Sequence, residues 1–87
     1  MKAREGIIAS QMGDEYVLVP VGEAANDIHG IVRLNETGSF IWKGITRGQE
    51  EEEIARHLIE EYAVDLDTAR DAVRTMIARL KDAKLVE

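Results

Sequence analysis

His29 and His57 are the only imidazoles in this sequence, Ser10 and Ser39 the only serines, and there is no cysteine. A metal centre needs converging His, Cys or carboxylate ligands; the two histidines fall in different elements, and a surface histidine is the ordinary reading of each. Without cysteine there are no disulfides, thiolate nucleophiles or cysteine-held zinc or iron–sulfur centres. Neither serine has a local signature of a base with an orienting partner. The 7 glycines are scattered at turns and caps and build no phosphate loop. Carboxylates are plentiful, but the run Glu50 to Glu53 suits the positive end of a helix dipole and a solvated face. No catalytic residue, metal or cofactor is expected, so the chemistry that remains is non-covalent recognition. Two groups of residues have the spacing for it. Ile31, Val32 and Arg33 belong to a short strand, and Arg70, Val73, Arg74 and Ile77 lie three and four residues apart on one connected helical surface.

The elements that would position these groups follow from the hydrophobic pattern. Gly6 to Met12 and Glu15 to Val21, separated by Gly13-Asp14, read as a hairpin whose second strand ends or bulges at Pro20. Gly22 to Asp27 reads as a loop, and Gly30 to Leu34 as a third strand with Val32 and Leu34 buried and Ile31 and Arg33 on the other face. In LNETGSFIW, Asn35 stands where that strand stops, and its side chain can cap a helix by accepting from Thr37 or Gly38. Phe40, Ile41, Gly44 and Ile45 form that helix's apolar stripe, with Trp42 on its shoulder and Thr46-Arg47-Gly48 as its end. A second helix runs from about Glu50 to Tyr62 on Ile54, Ala55, Leu58, Ile59 and Tyr62. A third, capped by Asp65, carries Leu66, Ala69, Val73, Met76, Ile77 and Leu80; Leu85 and Val86 form an apolar end piece.

The totals bound the partners. With 87 residues, one domain spanning 1–87 is expected. Hydrophobic residues at 45% and charged residues at 32% describe an ordinary globular balance. No run approaches a membrane span, and the apolar patch after the first basic residues is short for a signal peptide, so no membrane partner and a cytoplasmic location are expected. A formal net charge of −6 argues against nucleic acid.

GIVRLNETGSFIW, then EEIARHLIEEYAVD, then a closing helix ending LKDAKLVE, taken in order, resemble the PqqD-like family. That family comprises pyrroloquinoline quinone biosynthesis protein D and the leader-peptide recognition domains of ribosomally made, post-translationally modified peptides. The likeness runs from VLVPVGEAA onward, and the LNETG-x-FIW block is its most specific part. It implies an α+β, winged-helix-like fold, with an N-terminal three-stranded antiparallel sheet followed by three helices. It also implies a non-catalytic peptide chaperone, whose partners are a precursor's leader peptide and a modifying enzyme such as a radical S-adenosylmethionine protein. In such proteins the leader adds as a strand beside the third strand and packs on the third helix. Those elements match Gly30 to Leu34 and Leu66 to Leu80 here. HGIVRLN departs from the fuller motif of the quinone-pathway members, which leaves the pathway open.

An edge strand's unpaired N–H and C=O groups can receive an extended peptide, with specificity coming from side chains beside the edge. On this reading the peptide-binding residues are Ile31, Val32, Arg33, Arg70, Val73, Arg74 and Ile77. Structural readings stand beside it. Val73 and Ile77 also suit a core, and Arg70 and Arg74 also suit pairing with Asp67 and Asp71. The alternative function is winged-helix DNA binding through Arg70, Arg74, Arg79, Lys81 and Lys84, and a third is an interaction subunit that docks on an enzyme alone. A free edge can also pair with a second copy, which makes a homodimer possible.

Overall fold

Gly13, at φ 64°, closes a tight turn between two six-residue strands, a conformation that L side chains adopt at a cost. In the computed structural model, which describes residues 1–87 throughout, these are β1 (Ile7–Met12) and β2 (Glu15–Pro20). They pair antiparallel from Ile7↔Pro20 to Met12↔Glu15. A single helical turn, α1 (Ala24–Asp27), precedes β3 (Val32–Leu34), which pairs antiparallel with β2 from Tyr16↔Leu34 to Leu18↔Val32. Three helices follow: α2 (Glu36–Thr46), α3 (Glu51–Tyr62) and α4 (Leu66–Asp82). The architecture is the expected α+β one, an antiparallel sheet followed by helices. The strand order β1-β2-β3 leaves β3 on one border.

Two local expectations are corrected. The segment expected to be all loop contains α1, because Ala24 and Ile28, four residues apart, are both buried, and Ile28 N–H donates to the Ala24 carbonyl at 2.9 Å. The third strand is shorter than Gly30 to Leu34. Gly30 sits at φ 92°, and the ladder begins only at Val32, opposite Leu18.

Both predicted caps form. Asn35 accepts from Gly38 N–H at 2.7 Å and Asp65 from Thr68 N–H at 2.8 Å. The core is one cluster of 16 residues in which Leu18 and Leu34 from the sheet meet Ile41 and Trp42 of α2, Ile54 and Leu58 of α3, and Val73, Ile77 and Leu80 of α4. Trp42 is therefore an interior side chain rather than a shoulder one. The apolar end piece joins the same cluster, and an Ala3–Val86 bridge ties the two chain ends together. No helix is long and apolar enough to cross a membrane.

Gly44 sets how closely α2 and α3 approach. A Cβ there would lie 2.9 Å from both Ile54 Cγ1 and Gln49 Oε1, and Ile54 is fully buried with no room to retreat. Alanine raises helix propensity by about 1 kcal/mol over glycine, whereas overpacking a core costs about 1–3 kcal/mol. Gly44→Ala should therefore lower the urea unfolding midpoint, with a net loss of about 1 kcal/mol; an unchanged or higher midpoint would show that the two helices are not locked there.

Candidate functional site

β3 pairs on one side only, so its other side carries backbone groups without ladder partners. The Arg33 carbonyl accepts from Nη2 of Arg79, on α4, at 3.0 Å. A bond arriving from α4 rather than β2 means that this carbonyl points out of the sheet. In an antiparallel ladder the N–H and C=O of one residue point the same way. Val17↔Arg33 is thus the pair that exchanges no ladder bonds, and the Arg33 N–H also faces outward.

The side of α4 turned to this edge follows from the same contact. Ala72, Met76 and Arg79 are spaced by four and three residues and so share one flank. A Cβ on Gly38 would lie 2.8 Å from Met76 Cε and 3.3 Å from Leu34 Cβ, which puts Met76 where β3 ends and α2 begins. The edge is bordered by backbone acceptors and donors, by a half-buried thioether and by a cation. On the outer face of the sheet stand the exposed Ile31, at 51% accessibility, and Arg33, whose guanidinium lies 3.8 Å from Glu15.

The seven residues expected at the site separate into three groups. Ile31, Val32 and Arg33 are together at the β3 edge, Val32 half-buried against the core. Val73 and Ile77 are core side chains, 1% and 3% exposed. Arg70 and Arg74 lie on the flank facing α3. Arg70 holds Glu52 through two hydrogen bonds, at 2.6 and 3.0 Å, and Arg74 lies 3.7 Å from Asp71. Together with Glu51, Glu52 and Val73 they line a cavity of about 100 Å³. Arg70 and Arg79 are nine residues apart, which on a helix of about 3.6 residues per turn is half a revolution. Arg70, Arg74 and Lys81 do fall within about 40° of one another, but Glu52 holds Arg70 and Asp71 lies beside Arg74, so the cations of α4 form no free basic face and nothing in the fold supports the DNA-binding alternative. The flank that meets the edge through Met76 and Arg79, with Ala72 on the same side of the helix one turn earlier, was outside the expected peptide-binding set. Its only signal in the sequence is the i, i+4, i+7 spacing of a small, an apolar and a basic residue.

No group of three or more His, Asp or Glu side chains is placed to hold a metal. The largest surface depression, about 520 Å³, lies between the N-terminal segment and the loop after β2 and is lined by none of the seven.

The model of the family described as coenzyme PQQ synthesis protein D (PqqD) matches residues 15–86, from the start of β2 to the buried Val86. The chain belongs to the PqqD family. Among solved structures, the chain is similar to TbiB1 in complex with the TbiA(beta) leader peptide, at 28% identity and a TM-score of 0.81, over 100% of this chain and 95% of that one. It shares its fold with lasso peptide synthetase B1 complexed with the leader peptide, at 22% identity and a TM-score of 0.74, over 93% and 89% of the two chains. No curated protein matches it.

The Arg70–Glu52 pair makes a pH prediction. The hydrogen bonds from Arg70 hold the Glu52 carboxyl below the usual glutamate range. A depressed folded-state value means that its stabilising contribution is complete above the ordinary carboxylate range and is lost as pH falls through the lowered value. Glu52→Gln should therefore be less stable than the parent at pH 7, and the gap should narrow as unfolding is followed to pH 3. A gap that widens on acidification would contradict the pairing.

Proposed function

We propose that this chain binds the leader of a ribosomally made precursor peptide as a strand added to the free edge of β3, and presents the rest of the precursor to a modifying enzyme such as a radical S-adenosylmethionine protein. The observation that carries this reading is the outward-facing Arg33 backbone beside the Ala72–Met76–Arg79 flank of α4. A strand lying about 4.8 Å from β3 would find ladder partners on one side and a helix wall on the other. The similarity to TbiB1, described in complex with a leader peptide, over the whole chain supports the same use of the fold.

Ile31 and Arg33 then contact the peptide's outer face, Val32 lends backbone and part of its side chain, and Met76 and Arg79 meet the side turned to α4. Val73 and Ile77 support that wall from beneath, and Arg70 and Arg74 stand outside it. The role is non-catalytic, acts in the cytoplasm, and uses residues 1–87 as one unit. Pairing of β3 with a second copy is opposed by the cations it would bring together, Arg33 and Arg79 from each chain.

The test is backbone amide shift mapping with two synthetic peptides, the TbiA(beta) leader and the leader of a precursor identified among the reading frames that neighbour this chain's own. The largest changes should fall on residues 31–34 and on 72, 76 and 79, and Arg74→Ala should bind within about twofold of the parent, as expected for a surface change away from the contact. Changes confined to β1 or α3, or none with either peptide, would overturn the proposal.

A further inference from the structure

The bond from Arg79 to the β3 edge has a consequence for which peptides the edge admits. An incoming strand must bring an N–H to about 2.9 Å from an outward carbonyl of β3. The outward carbonyl of Arg33 already has a guanidinium nitrogen at 3.0 Å. The oxygen has two lone pairs, but a strand N–H arriving in the plane of the sheet competes with the guanidinium for the outward direction, so strand addition weakens the Arg79 bond and pushes its head group aside. The displaced guanidinium stays tethered to α4, next to the added strand.

What it meets there depends on the strand's own alternation. The peptide residue paired with Arg33 points its side chain to the outer face, as Arg33 does, and its two sequence neighbours point toward α4. Arg79 is exposed, so a neutral or basic neighbour would leave it to water. A carboxylate there would replace its bond to a carbonyl with a charge-assisted one.

We infer that Arg79 is a displaceable cap on the β3 edge and, once displaced by a bound strand, the residue that selects a peptide bearing an Asp or Glu side chain toward α4. This rests on strand addition at β3. The cap discourages indiscriminate pairing of an open border, a hazard that proteins commonly counter with charge at the edge. Selection follows because only an acidic strand recovers the lost interaction.

The cap is tested without any peptide. Arg79→Ala should shift the Arg33 carbonyl ¹³C resonance, and in the parent the Arg79 guanidinium should show restricted rotation. A freely rotating guanidinium in the parent, with an unmoved Arg33 carbonyl in the variant, would overturn it. Selection is tested by calorimetry with the TbiA(beta) leader in its natural form and with every Asp and Glu replaced by Asn and Gln. The parent and Arg79→Lys should prefer the natural peptide by about threefold to fivefold, the scale of an exposed ion pair. In Arg79→Ala that preference should vanish, while the neutral peptide binds at least as tightly as it does to the parent because no cap has to be moved. Equal loss for both peptides would mark a merely structural arginine, and a preference surviving in Arg79→Ala would place the selection elsewhere; either result overturns the inference. If neither peptide perturbs β3, strand addition and selection fall together, and the carbonyl signal alone decides the cap.

Discussion

Asn35 ends a strand and begins a helix within one residue, its backbone extended at φ −80° and ψ −178° and its side chain holding the Gly38 amide. Leu34 is buried immediately before it, and Ile41 and Trp42 soon after. These anchors fix the register of β3 against β2. A slip of one residue would turn Arg33 into the core and Leu34 out to water, an exchange no small core can absorb. The cap therefore does more than satisfy one amide. It determines which carbonyl of β3 faces outward, and so which atom α4 can reach.

Residues 3–4 and 85–86 pack against each other and the core. After α4, Lys84 takes a left-handed conformation at φ 64°, unusual for a residue with a Cβ. Leu85 N–H then donates to the Leu80 carbonyl at 2.8 Å, the bond spanning five residues that closes a helix C-terminus past a left-handed residue. That reversal carries Leu85 and Val86 beneath the helices, where Arg4 N–H donates to the Leu85 carbonyl at 2.9 Å and Arg4 pairs with Asp27 of α1. Leu85 and Val86 thus close the core against Ala3 and Arg4. Strain at one residue is exchanged for two buried apolar side chains, which at about 1.5–3 kcal/mol each outweigh it.

Much of this was legible in the sequence, for physical reasons that differ by element. The hairpin, both side-chain caps and the three long helices are written in local chemistry: a Gly-Asp turn, an Asn or Asp at a strand or loop end, and apolar residues at helical spacing. The turn α1 left no such mark, because four residues are too few to show a period. The faces of α4 were harder. Arg70, Val73, Arg74 and Ile77 are neighbours on that helix, but the set combines the buried stripe with the flank that α3 covers. Polarity distinguishes inside from outside; it does not say which of two outside flanks borders the sheet. That was settled by a contact 46 residues apart in sequence, from Arg79 to Arg33.

Charge raises a last question, since a chain of net −6 would be expected to repel an acidic strand. The Debye length at physiological ionic strength is about 8 Å, and the chain's principal extents are 38, 29 and 19 Å. The acids at the start of α3 lie with Arg70, on the far side of α4 from Arg79, and Arg70 already holds Glu52. Their field reaches the edge weakened by distance and by counterions. What an extended segment meets at β3 is local: Arg33 on the outer face, partly offset by Glu15 at 3.8 Å, and Arg79 on the helical side. Net charge thus governs how the chain behaves toward large polyanions, whose charges extend past one Debye length. The sign at the edge is set by two arginines, and only a ligand narrow enough to lie between them experiences it.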